Sequence, residues 1–147
     1  MNHTIKMKEG VYYLNSNIAS CNKELIKYLY LEAEKDMLNI ARCCLHKDEM
    51  SALMTMIIIV RNRFIYPPHR HSWKDESYTI IDGSCIYKEY SDKGVEITNT
   101  KLVSGDTLLN NNKRFHTLFP LTNKFSFVET TMGPFQNQKL EYLNVGK

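Results

Sequence analysis

The 147-residue sequence predicts a mainly β protein, a sandwich or small barrel with one helix ahead of it. Three observations carry this. Short runs rich in β-branched and aromatic residues recur from residue 40 onward. Turn signals at Asp82-Gly83, Gly94, Ser104-Gly105-Asp106 and Gly133-Pro134 separate them at roughly even spacing. Only the segment SCNKELIKYLYLEAEKDML has helical periodicity.

The first twenty residues read as an extended arm in which VYYLN can form a short strand. In the helical segment, Leu25, Ile26, Leu29 and Ala33 make one apolar stripe, and Ser20 or Asn22 can cap its start. ARCCLH, LMTMIIIV and FIYP then read as strands. In SYTIIDGSCIYKEYSDKGVEITNTKLV, a hairpin turn at Asp82-Gly83 and a second turn at Gly94 are expected to link three strands. RFHTLF and KFSFVET add two more. The arm and helix, 1–38, are expected to pack on a β-barrel domain spanning 39–147.

A hydrophobic fraction of 43% and an aromatic fraction of 11% mark a folding chain rather than a disordered one. A net charge of +3 is far from the basic stripe of a nucleic-acid binder, so no nucleic-acid partner is expected. A few cationic side chains suit an anionic small molecule better. The longest apolar run, Met56 to Val60, is too short to span a bilayer, so no membrane insertion is expected. Cys21, Cys43, Cys44 and Cys85 form no CxxC pair, and MNHTIKMKEG lacks the apolar core of a secretory signal. These features lead to the expectation of a reducing cytoplasm and free thiols.

The stretch PPHRHSWKDESYTIIDG places His69 and His71 on one strand face, because side chains two apart point the same way. Glu76 has the opposite parity, but the loop SWKD can reset the register and turn it inward together with Tyr78. Two imidazoles and a carboxylate on strands suit a metal ion with open positions, and His116 in RFHTLF offers a fourth ligand.

These residues carry a family resemblance. HRHSWKDESYTIIDG is similar to the first cupin motif at His69, His71, Glu76 and Gly83. GDTLLNNNKRFH resembles the second motif at Gly105 and His116, with Asn111 and Lys113 where the motif has Pro and Gly, and Pro120 at its later Asn. The leading helix, RCCLH, the apolar strand running into PPHRH, and MGPF make residues 20 to 143 resemble the WbuC family of small cupin-fold metalloproteins, which is associated with bacterial O-antigen and surface-polysaccharide gene clusters. The resemblance implies a cupin jelly-roll barrel with one divalent metal ion held by His69, His71, Glu76 and His116. Ligand type does not separate Fe, Mn, Ni, Zn and Cu. By analogy with cupins, a homodimer is expected.

Other residues follow from parity. Arg61, Arg63 and Arg114 share the parity of the histidines, so Arg63 and Arg114 can approach the mouth and grip carboxylate or phosphate. A turn with solvated charges is the alternative for Arg61-Asn62-Arg63. Arg70 and Lys74 are expected to face out or sit at the rim. Tyr78 can be a general acid, a donor to substrate or a wall residue. Arg42 and His46 share a face with Cys44, and the resemblance makes them candidate substrate contacts. Glu129 alternates with Phe125 and Phe127, so it should face in, as a general base or as acceptor for a ligand histidine. Trp73 can lid the mouth or simply pack.

The function implied is a metal-binding cupin of surface-polysaccharide or nucleotide-sugar metabolism, of isomerase or epimerase type, on a small anionic or sugar-nucleotide substrate. An Fe(II)-dependent oxygenase and a non-catalytic sugar- or metal-binding module are the alternatives.

Overall fold

The computed structural model describes residues 4–8, 10–14, 18–111, 113–135 and 140–143. Asn15 of VYYLN and Asn112 of GDTLLNNNKRFH lie outside them. Strands β1 (Thr4–Lys8) and β2 (Val11–Leu14) precede helix α1 (Lys23–Lys35). Then come β3 (Ile40–Cys44), β4 (Leu53–Arg61), β5 (His69–His71), β6 (Glu76–Asp82) and β7 (Ser84–Tyr90). β8 (Glu96–Val103), β9 (Thr107–Asn110), β10 (Phe115–Pro120), β11 (Lys124–Met132) and β12 (Leu140–Tyr142) complete the order among the described residues.

The strands form two sheets. One runs β1-β2-β3-β4-β11-β6-β9 and the other β12-β5-β10-β7-β8. This is a jelly roll in which the two sheets do not join edge to edge into a closed barrel.

Alternation along β4 explains the run MIIIV. Ile58 and Val60 face the space between the sheets with Tyr78, Ile80, Phe125 and Phe127. Ile57 and Ile59 face outward, where Leu25, Leu29 and Ala33 of α1 cover them. A strand buried on both faces has no polar positions to alternate with. Asn22 caps the helix, its side-chain oxygen accepting from the Leu25 amide at 2.9 Å.

Two expected elements differ. FIYP forms no strand. Pro67 and Pro68 lack the N–H that a ladder needs and fix the local backbone. Asp82-Gly83 is not a hairpin, since β6 pairs with β9 and β11 while β7 pairs with β8 and β10. It is the corner at which the chain passes from one sheet to the other. Gly83 has φ +80°, and a Cβ there would lie 2.4 Å from both the Lys124 carbonyl oxygen and the Thr122 hydroxyl oxygen. The turn at Gly94, φ +78°, does close the hairpin of β7 and β8.

Candidate metal centre and its cavity

His69 and His116 are direct antiparallel partners on β5 and β10, so their rings share a face. Their centroids are 4.8 Å apart, and His71, two residues along β5, lies 5.2 Å from His69. Glu76 comes from the other sheet. The loop 72–75 resets its parity, and the Thr131 hydroxyl anchors that loop by donating to the Asp75 carbonyl at 2.9 Å. The Glu76 carboxylate meets His71 Nε2 at 3.1 Å through Oε1 and His116 Nε2 at 2.9 Å through Oε2. The four residues named by the cupin-like motifs therefore meet across the two sheets.

Two further groups hold Glu76. Tyr78 donates its hydroxyl proton to Oε2 at 2.9 Å, and the Lys74 ammonium lies 3.0 Å from Oε1. Burial alone would raise the Glu76 carboxyl, but hydrogen bonds from His116 and His71, with the Lys74 charge, hold it well below the usual carboxylate range. Burial beside Glu76 pushes the Tyr78 phenol well up, so Tyr78 keeps its proton and acts here as a donor.

The histidine tautomers follow from their carbonyl partners, which only accept. His69 Nδ1 donates to the Pro67 carbonyl at 3.0 Å and His116 Nδ1 to the Arg114 carbonyl at 2.8 Å. His69 thus turns its Nε2 lone pair inward. Burial, then the neighbouring His116, lowers His69 to about 4, so it is a neutral imidazole at pH 7.

Three imidazoles and an ionised carboxylate are the donor set of a divalent transition metal. Donor separations near 3 Å also suit two ligands about 2.1 Å from one ion at right angles. The donor set fits a metal. Among the described residues, no His, Cys, Asp and Glu group stands as a preformed cation cage.

The cluster opens onto a cavity of about 610 Å³ between the sheets. Arg42, Cys44 and His46 line it from β3 and the residues after it, and Glu129 lines it from β11 with Phe125 and Phe127. Burial, then the Glu76 charge, raises the Glu129 carboxyl to about 7, against the pull of Lys74, Arg42 and His116. His46 Nδ1 lies 3.1 Å from the Thr55 carbonyl oxygen, and its buried Nε2 has no hydrogen-bond partner among the described residues. The remaining walls are largely apolar, among them Met56, Ile58, Val60 and Phe64.

The arginines expected at the mouth are elsewhere. β4 ends at Arg61, whose guanidinium pairs with Glu34 on the helix side. Arg63 is exposed in a turn at φ +54°, which breaks the parity that would have aimed it inward. Arg114 precedes β10, is half exposed and pairs with Glu89 at 3.6 Å. Neither Arg63, Arg114 nor Trp73 lines the cavity. Arg70 lies outside, between Glu141 and Asp92. Lys74 corrects the expectation of a rim position, with a side chain only 4% exposed. Tyr66, three residues before His69 and so of opposite strand parity, nevertheless packs edge-on against it at 5.1 Å and lines the cavity. Its carbonyl is held by the Thr117 hydroxyl at 2.6 Å. The Pro67-Pro68 pair was the signal that strand alternation fails there.

No protein-family model and no curated protein matches the sequence. Solved structures do resemble it. A protein with a double-stranded β-helix domain from Klebsiella pneumoniae subsp. pneumoniae MGH 78578 is 16% identical, covering 71% of this chain and 84% of its own, with a TM-score of 0.56. A cupin-superfamily sugar phosphate isomerase from Silicibacter pomeroyi DSS-3 is 15% identical over 64% of this chain, with a TM-score of 0.53. Procruciferin, the 11S globulin of Brassica napus, is 14% identical over 63% of this chain, also with a TM-score of 0.53. The chain spans 58% of the isomerase and 23% of the globulin. No helix among the described residues is long and apolar enough to cross a membrane. At these identities the likeness is one of architecture, and the chain has the cupin double-stranded β-helix fold.

Proposed function

We propose that this chain binds one divalent metal ion through His69, His71, Glu76 and His116 and works on a small anionic, sugar-like substrate. The observation that carries this reading is the meeting of three imidazoles from one sheet with one ionised carboxylate from the other, at the wall of a cavity. When bound, the ion, of the Fe, Mn, Ni, Zn or Cu class, would supply Lewis acidity toward a carbonyl or hydroxyl oxygen. The chain's own residues do the rest. Arg42 offers a guanidinium to a carboxylate or phosphate, and the His46 Nε2 adds a polar contact beside it.

Glu129 handles the proton. Its carboxyl is raised to about 7 while Glu76 stays ionised, and two carboxyls pushed apart in this way suit acid-base work. Isomerisation takes a proton from one carbon and returns it to the neighbouring one, which a single group titrating near neutrality can do, whereas epimerisation needs a second donor on the opposite face. Tyr78 serves by holding Glu76. The resemblance to the WbuC family supports a setting in bacterial surface-polysaccharide or nucleotide-sugar metabolism. The apolar walls at Ile58, Val60, Phe125 and Phe127 favour a second reading, an Fe(II)-dependent oxygenase acting on a substrate with an apolar body. Iron- and substrate-dependent oxygen consumption would favour that reading over isomerisation.

Elemental analysis of chelator-free protein tests the ligand set. His69→Ala and His116→Ala are each expected to lose stoichiometric metal. Full metal content in both variants would overturn the assignment.

A further inference from the structure

We propose that Lys74 is a built-in competitor of the metal ion, its ammonium holding the carboxylate position that a metal must take from it. This rests on the metal reading above and concerns a residue outside its ligand set. A carboxylate offers about four lone-pair positions. At Glu76, Oε1 meets His71 Nε2 at 3.1 Å and Lys74 Nζ at 3.0 Å, while Oε2 meets His116 Nε2 and the Tyr78 hydroxyl, both at 2.9 Å. The imidazole contacts join members of one proposed ligand set, so the groups that an ion would have to displace at Glu76 are Lys74 and Tyr78. His71 and His116 are themselves ligands in the reading, and Tyr78 is neutral. Lys74 is the cation among the four, and it repels another cation as well as blocking it.

The lysine does not reach the site by chance of a flexible surface chain. Its side chain is 4% exposed, and its loop is tied down at the next residue by the Thr131 hydroxyl on the Asp75 carbonyl. A buried ammonium is costly without a partner, and its partner here is Glu76. The loop SWKD therefore does more than reset the strand register. It delivers a tethered positive charge to the carboxylate, so the protein exchanges its metal readily rather than trapping it.

Calorimetric titration of the metal-stripped full chain with Zn²⁺ and with Co²⁺ tests the proposal. Lys74→Met is expected to bind about tenfold tighter or more than wild type, and Lys74→Arg, which keeps the charge, within about threefold of it. Lys74→Gln repeats the measurement with a polar head should the methionine variant fail to fold, as judged by its melting curve. Binding by wild type with equal or weaker affinity in the neutral variants would overturn the competition and leave the metal reading standing. Binding by the neutral variants alone would support it in its strongest form. No binding by any variant would overturn the metal reading and the competition together.

Discussion

Glu76 and Glu129 are the same residue type in one cavity, and their surroundings assign them opposite tasks. Glu76 is surrounded by donors and stays ionised. Glu129 sits among Phe125, Phe127 and the Glu76 charge, and holds its proton up to about 7. The sign of the consequence is opposite to that of a salt-bridged carboxylate. Below about pH 4 both folded and unfolded Glu129 carry the proton, and nothing is lost. As pH rises toward about 7 the unfolded chain releases it first, so the folded state loses stability over that window. Glu129→Gln should therefore flatten this decline. In metal-free protein it is expected to exceed wild type above neutrality by about 1–2 kcal/mol, discounted for cavity water, with the two curves converging in acid. Urea denaturation across pH measures this, and parallel curves would show that Glu129 ionises freely. Single residues also mark where sequence parity stops working. Arg42 and Cys44 share one face as alternation predicts, because both lie on β3, and His46 joins them at the cavity just past its end. Tyr66 and Lys74 escape it, because neither lies in a strand.

Corners decide more than strands at the level of the element. The Asp82-Gly83 pair has the composition of a two-residue hairpin, and local sequence cannot distinguish a hairpin from a corner. Both need a positive φ, here +80° at Gly83. The difference lies in the partners, since β6 hydrogen-bonds to β9 and β11 and leaves β7 to the opposite sheet. That corner sends β7 to the sheet where it pairs with β10, the strand of His116, while the earlier crossing at 72–75 puts Glu76 opposite the histidines of β5. Gly83→Ala would add a strained φ and a Cβ driven against the Lys124 carbonyl and Thr122 hydroxyl. It is expected to cost roughly 2–5 kcal/mol, read as a lowered urea midpoint. A variant as stable as wild type would show that the corner relaxes freely. The loop 72–75 is the second such device, resetting parity between His71 and Glu76 while carrying Lys74 inward.

For the whole molecule, the helix and the site stand on opposite faces of the seven-stranded sheet. Leu29 and Ala33 pack on Ile57 and Ile59, while Ile58 and Val60 line the cavity behind them. Leu29 is fully buried, so Leu29→Ala should lose about 2–5 kcal/mol through lost burial and the space left behind. Because its contacts lie on the outer face, metal affinity measured well below the melting temperature should stay unchanged. A variant that loses both together would mean that the helix supports the site through the sheet.

The helix stripe, most of the strands and the residues that converge on Glu76 were legible in the sequence, because periodicity and motif spacing are local properties of the chain. The sequence also predicted that Glu129 would face inward. Which sheet each strand joins, and therefore that Asp82-Gly83 is a corner, emerged from the folded molecule. The fold alone placed Tyr66 beside His69, set Arg63 and Arg114 outside the cavity and brought Lys74 onto Glu76. The physical reason is the same throughout. Strand partners and loop paths depend on hydrogen bonds and packing between residues distant in sequence, and no local pattern encodes them.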